Sequence, residues 1–238
     1  MAEFSLERTE QSLIKKFHRQ IFRKFTKAVA TYDLIVPGDK IAVCISGGKD
    51  SWLMAKLFQE LKKHNKFPFE LVFMVMDPGY APGNRALIES NSRKLNVPLE
   101  IFETDIFENV LHVEKSPCYL CARMRRGHLY HNAALLGCNK IALGHHYDDV
   151  IETILMGMLY GGQVQTMMPL VHSANFEGMQ LIRPMYLIGE KDIIAWRDYN
   201  GLEFLRCACK FTERKQNEDG KRLKVKRLIK ELAAEDEG

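Results

Sequence analysis

The 238-residue chain lacks any apolar run approaching the roughly 18 residues that a membrane span needs. Its opening stretch, Met1 to Arg8, lacks the pattern of a secretory signal, so the expectation is a cytoplasmic protein with no membrane partner. A strong charge of one sign is missing too. The 34 Lys and Arg against 30 Asp and Glu leave +4, so any case for a nucleic-acid partner rests on where the charges sit. Nor is the chain poor in apolar residues, as disordered chains are: 46% hydrophobic and 27% charged suit one α/β domain with terminal additions. Cysteines are few, six in all, and in a cytoplasmic setting they point to metal or redox chemistry before a disulfide framework. Also absent is the Walker phosphate loop, which places four residues between its first Gly and a Gly-Lys-Ser/Thr.

In place of a Walker loop stands Ile41-Ala42-Val43-Cys44-Ile45-Ser46-Gly47-Gly48-Lys49-Asp50-Ser51. Ile41 to Ile45 has the length and β-branched content of a buried strand, and Trp52 to Phe58 continues with helical spacing. The loop therefore joins the carboxyl end of a strand to a helix start. Gly47 and Gly48 let backbone N–H groups approach an anion, Ser46 and Ser51 offer hydroxyls, and Lys49 adds a mobile positive charge. A plain glycine turn explains the two glycines but not the Ser, Lys, Asp and Ser around them. At these residues the chain resembles the PP-loop ATP pyrophosphatases, whose Ser-Gly-Gly-x-Asp-Ser loop holds the β and γ phosphates as leaving pyrophosphate while a substrate oxygen becomes an adenylate.

Upstream, Ile14, Phe17, Ile21, Phe25, Ala28 and Val29 recur at helical steps and predict one amphipathic helix ending near Tyr32. Its other face carries Arg8, Lys15, Lys16, Arg19, Arg23, Lys24 and Lys27, which suits either a phosphodiester backbone or plain solvation. Downstream, strands are expected at Phe69 to Met76, Leu99 to Thr104 and Lys140 to Gly144, with a helix from Arg85 to Leu95, giving β-α-β-α-β order and parallel pairing. Ser46 and Met76 then emerge together at the carboxyl ends of strands, where open α/β sheets bind ligands.

Pro117-Cys118-Tyr119-Leu120-Cys121-Ala122-Arg123-Met124-Arg125-Arg126-Gly127 sets a Cys-x-x-Cys pair before three arginines. The spacing serves zinc, an iron–sulfur cluster or a redox disulfide, and a metal site needs a further thiol. Cys207 and Cys209 are candidates for it, while Cys44, inside a strand, and Cys138, in a turn, read as structural. His145-His146-Tyr147-Asp148-Asp149 opens a helix where the fourth strand ends. Its acids suit the helix dipole, but its histidines lack the i, i+4 spacing of helical metal ligands. Lys221, Arg222, Lys224, Lys226, Arg227 and Lys230 mark a basic helix, a second electrostatic foothold or a solvated face, and Glu235 to Glu237 an acidic end.

Taken in order, Ser46 to Ser51, Pro117 to Gly127, Leu143-Gly144-His145-His146-x-Asp148-Asp149, Tyr160-Gly161-Gly162, Ile182-Arg183-Pro184 and Glu190-Lys191-Asp192-Ile193 closely resemble the TtcA family of tRNA 2-thiocytidine synthetases over most of residues 13 to 210. The late pair is Cys207-x-Cys209 where that family carries Cys-x-x-Cys, and Glu152 stands where it often carries Gln. The zinc-binding cysteine clusters found at both ends of related two-thiouridine enzymes do not occur.

The resemblance implies an open parallel sheet with flanking helices, a Rossmann-like, adenine nucleotide alpha hydrolase-like PP-loop domain over 33–210, between a basic helix (1–32) and a basic helix with acidic tail (211–238). ATP binding falls to Ser46, Gly47, Gly48, Lys49, Asp50, Ser51, Met76, Gly144 and Asp149, with Mg2+ as phosphate partner. A 4Fe-4S cluster falls to Cys118, Cys121 and Cys207, and these cysteines with Lys49 and Asp50 form the catalytic set. Lys15, Lys16, Arg19, Arg23, Arg123, Arg125 and Arg126 would contact tRNA. The implied reaction adenylates a cytidine oxygen at tRNA position 32 and replaces it with sulfur. A cysteine desulfurase is the expected sulfur donor and a homodimer an open expectation. A different tRNA base, an AMP-forming small-molecule ligase without a cluster, and a zinc-stabilised tRNA-binding module without catalysis are the alternatives.

Overall fold

Residues 41–45, apolar on both faces, can only sit in the middle of a sheet covered by helices on each side. The computed structural model, which describes residues 4–64, 67–111, 117–205 and 220–235, with side chains except at 109–111 and 117–119, puts them there. β1 (Lys40–Ile45) pairs in parallel with β2 (Glu70–Asp77) and with β4 (Lys140–Ala142), and β3 (Leu99–Glu103) extends the sheet beyond β2. β6 (Gln180–Ile182) adds in parallel to β4, and β5 (Leu170–His172) closes the edge antiparallel to β6. The order is β3-β2-β1-β4-β6-β5. The expected open parallel sheet with flanking helices is found, with one addition: the edge strand β5 runs antiparallel, because its short connection to β6 is a hairpin and not a helical crossover.

Crossovers α3 (Lys49–Lys63), α4 (Pro82–Leu95), α6 (Pro117–Leu135) and α7 (Tyr147–Gly161) follow β1, β2, β3 and β4, with the short α5 (Ile106–Leu111) ahead of α6. α8 (Glu190–Tyr199) follows β6, and α9 (Lys221–Glu235) is the last element. Among the described residues no helix is long and apolar enough to cross a membrane.

The expected single N-terminal helix is broken. α1 (Leu6–Ile14) ends in a turn, a π-helical turn follows at His18–Phe22, and α2 (Arg23–Thr31) completes the segment. The wider π turn shifts the phase so that Leu13, Phe17, Ile21, Phe25 and Val29 all face inward, into the core that also holds Trp52, Leu53, Phe58 and Trp196. Lys56, 1% exposed, ties α3 to α1 through Glu10 at 2.6 Å and donates to the Leu95 carbonyl at 3.0 Å. A buried ammonium persists only when paired in this way.

Candidate active site

Strand order reverses between β1 and β4, the place where an open α/β sheet leaves a crevice beyond its carboxyl ends. The loop after β1 turns at Gly47, whose φ of +87° lies in the left-handed region; a Cβ there would stand 2.6 Å from Leu205 Cδ1 and 3.0 Å from Ile88 Cγ1. Gly48 then caps α3 in extended backbone, leaving the first N–H groups of the helix for an anion. Ser51 closes the loop. Its Oγ donates to the Gly48 carbonyl at 2.9 Å and accepts the Ser46 N–H at 3.2 Å, with Ser46 Oγ 3.3 Å away. From the other side Gly144 abuts the backbone: its Cβ would meet Asp50 C and Ser51 N at 3.3 Å.

Between these loops lies a cleft of about 420 Å³, within the size range of small-ligand pockets. Ile45, Met76, Leu129 and Leu143 give it apolar walls, and Ser46, Asp50, Ser51, Gly144, His145 and Asp149 its polar rim. Six of the residues expected to bind ATP, Ser46, Asp50, Ser51, Met76, Gly144 and Asp149, therefore line one space. Gly48 and Lys49 face a second opening between the loop and α8, which Ser46 and Asp50 also line.

Lys49 Nζ stands 3.2 Å from the Asp50 carboxylate and 3.1 Å from Glu190 Oε1. Burial would raise the Glu190 carboxyl, but hydrogen bonds from Lys226 and Lys49 hold it down at about 2. His146 precedes α7 with its ring buried, Nε2 lying 3.5 Å from Asp149 Oδ2 and 3.9 Å from Asp50 Oδ1. Asp149 accepts the His146 N–H at 3.0 Å, and Asp148 accepts the Glu190 N–H at 2.6 Å, joining the starts of α7 and α8. His145 is held at about 4, by burial first and then by the Arg183 guanidinium, so its imidazole is neutral at neutral pH. The acids after β4 thus cap and join helices, while the first histidine lines the cleft.

α6 carries the cysteine–arginine motif along the cleft. Ala122, Arg125 and Arg126 line it, Arg123 points to solvent, and Cys121 packs half-buried beside Met76 and Ile106. The helix places position 118 one turn before Cys121; the Cys118 side chain, Cys207 and Cys209 lie outside the described residues. Among the described residues no three His, Cys, Asp or Glu side chains converge as a metal site. Cys44 and Cys138 are buried, as expected of structural thiols, and burial pushes Cys44 up to about 12, although Cys44 also reaches the cleft wall. On the N-terminal segment, Arg19 and Arg23 join Lys24 and Lys27 around one shallow depression. Lys15 instead bonds Gln11 at 3.1 Å, and Lys16 sits over the Tyr199 ring at 3.8 Å.

Sequence reasoning read Arg222 and Lys226 only as part of a basic helix and Glu190 only as part of the family motif, and gave none of them a place at the phosphate loop. Arg222 Nε donates to Glu152 Oε2 at 2.6 Å, and Lys226 Nζ to Glu190 Oε2 at 2.6 Å. No local spacing signals these contacts, because Arg222 spans Asp149 and Glu152 on α7 while Lys226 reaches Glu190 on α8.

A PP-loop domain family model matches residues 15–214. The tRNA-cytidine(32) 2-sulfurtransferase of Syntrophotalea carbinolica is 38% identical over 92% of this chain and 84% of its own length. That of Anaeromyxobacter dehalogenans is 35% identical over 93% of this chain and 76% of its own. Among solved structures, the U34-tRNA thiolase NcsA from Methanococcus maripaludis, determined with its 4Fe-4S cluster, superposes with a TM-score of 0.68 at 21% identity, covering 94% of this chain and 82% of that one. At that identity the likeness speaks for the fold.

Proposed function

The chain belongs to the PP-loop domain family and, within it, to the tRNA-cytidine(32) 2-sulfurtransferases, and from that premise we infer an ATP-dependent thiolation of tRNA run in the cleft between the β1 and β4 loops. The observation that carries the reading is a shared wall: the helix bearing Cys121, Arg125 and Arg126 lines the same cleft as the phosphate loop.

The C2 oxygen of the cytosine attacks the α-phosphorus of ATP, the bond to the bridging oxygen breaks, and pyrophosphate leaves. Gly47 and Gly48 N–H groups, Ser46, Ser51 and Lys49 take up the charge that develops on it. Sulfur at the sulfide level, HS−, then adds at C2, the C2–O bond breaks so that AMP departs with the oxygen, and loss of the S–H proton leaves 2-thiocytidine. Arg125 and Arg126, on the cleft wall, stabilise the departing AMP or the tRNA backbone. Asp50, at the phosphate loop, and Asp149, across the cleft rim, are oxygen donors of the kind Mg2+ takes and would hold it. The thiols at one-turn spacing on α6 fit a thiolate-bound group, which Cys118, Cys121 and Cys207 would hold. When bound, a 4Fe-4S cluster would supply the means of delivering sulfur to the activated base. Arg19 and Arg23, joined by Lys24 and Lys27, offer the tRNA a backbone footing away from the cleft. We propose a cysteine desulfurase as the sulfur source and the cytoplasm as the setting.

The test is turnover by the full chain, reconstituted anaerobically, with ATP, sulfide and tRNA. AMP, pyrophosphate and 2-thiocytidine are the expected products, by chromatography and nucleoside mass analysis. Stoichiometric ADP, or iron-free colourless protein after anaerobic purification, overturns the reading. Lys49→Ala should abolish turnover while leaving the iron content unchanged.

A further inference from the structure

Among the described residues, four acids gather at the phosphate loop and the helix starts beside it. Asp50, Asp149, Glu152 and Glu190 lie around it, and among the described residues ahead of α9 one lysine or arginine, Lys49, pairs with any of them. The Glu152 side chain is 4% exposed and that of Glu190 19%, so water screens these charges poorly. These acids oppose a polyanion such as ATP, against Lys49 and the Arg125 and Arg126 that line the cleft. Further compensating charges come from α9, outside the matched residues 15–214. Arg222 takes Glu152 and Asp149, and Lys226 takes Glu190 at 2.6 Å while lying 3.8 Å from Glu152. Glu190 is therefore shared, with Lys226 on one oxygen and Lys49 of the loop on the other at 3.1 Å.

We infer that α9 is part of the nucleotide site and that Lys226 is a positioning residue for ATP. By neutralising Glu190, it loosens the hold of that carboxylate on Lys49, which can then turn to the phosphates. Without Lys226 the cluster is one charge more negative and Glu190 pairs with Lys49 alone. The inference rests on the ATP-using reading above and adds to it a residue that acts through another.

Calorimetric affinity of the full chain for magnesium and a non-hydrolysable ATP analogue tests it. Lys226→Met should weaken binding about tenfold, roughly 1.4 kcal/mol. Lys226→Arg should restore it. Glu190→Gln alone should bind at least as tightly as wild type, and the Lys226→Met/Glu190→Gln pair should recover most of the loss, because removing the acid removes the need for the cation. A helix that merely packs gives no such recovery. Unchanged affinity in Lys226→Met, a double variant no better than Lys226→Met, or weaker binding by Glu190→Gln each overturns the proposal. Val225, 1% exposed, anchors α9 independently of Lys226, and the Glu190→Gln arm stands even where Lys226→Met fails to fold. A wild-type chain that binds no analogue refutes the nucleotide reading itself.

Discussion

Replacing either glycine of the phosphate loop by alanine separates what the loop needs to fold from what it needs to bind. At Gly47 the φ of +87° costs an L-residue about 1–2 kcal/mol. The added Cβ also meets Leu205 Cδ1 at 2.6 Å and Ile88 Cγ1 at 3.0 Å. The leucine methyl can swing aside, but Ile88 is fully buried and has nowhere to go, so overpacking adds about 1–2 kcal/mol more. Gly47→Ala should therefore lose about 2–4 kcal/mol, which for a domain of this size lowers Tm by about 4–16 °C. At Gly48 the backbone is ordinary, and the nearest atoms to a Cβ, Ser46 Oγ and the Leu205 carbonyl, lie 3.7 and 3.8 Å away. Gly48→Ala should stay within about 0.5 kcal/mol of wild type in stability. Its methyl instead crowds the N–H groups that face the phosphates, so ATP affinity should fall. Thermal melts with and without magnesium–ATP measure both. A Gly47→Ala variant as stable as wild type, or a Gly48→Ala variant that loses stability but keeps ATP affinity, refutes this account of the loop.

Neutralising Arg19, Arg23, Lys24 and Lys27 together should weaken tRNA binding and flatten its dependence on log salt by somewhat less than one unit per lost phosphate contact; the same change at Lys15 and Lys16, engaged with Gln11 and the Tyr199 ring, should do less, and filter binding across a salt series compares them. Acidification should bring out His145: its imidazole stays neutral down to about 4 in the fold against 6.5 when free, so the unfolded chain binds the extra proton and stability falls as pH drops through that window. The loss, at most about 3 kcal/mol, should shrink in His145→Asn when urea midpoints are compared at pH 7 and pH 4.5.

The parts of this molecule that were legible in the sequence are those whose physics is local. A buried β-branched run closed by Ser-Gly-Gly-Lys-Asp-Ser must be strand, turn and helix start, and β1 and α3 fall where the pattern predicts. β2, β3 and β4 follow for the same reason, each ending within two residues of its expected limit. The β5–β6 hairpin was not legible, because three-residue strands such as Leu170–His172 carry too little alternation to stand out. The break at residues 15–22 escaped for another reason: a π turn keeps inward positions at three- and four-residue steps, so the sequence still scans as one helix. At the site, Ser46 and Met76 were read as neighbours because strand ends converge, while Asp149 joined them only through the family resemblance. Long-range pairs such as Lys226 with Glu190, 36 residues apart, depend on where α9 docks, and no local pattern states that.

Three helix starts meet at the cleft, and their meeting explains why an anion site is so rich in acids. α3 begins after Gly48, α7 after His146 and α8 after Gly189, and each start carries partial positive charge from its unpaired N–H groups. Pointed at one another without counter-charge, three such ends would repel. Asp149 on the His146 N–H, Asp148 on the Glu190 N–H and Glu190 on Lys49 are the groups that let them approach. Among the described residues ahead of α9, Lys49 is the lysine or arginine that pairs with the acids at these starts, and α9 adds Arg222 on Asp149 and Lys226 on Glu190. The site is built as alternating layers of charge, in which each layer is tolerable only because of the next. A magnesium-bound polyphosphate, itself cation and anion in alternation, is the kind of ligand that can replace one layer without exposing another.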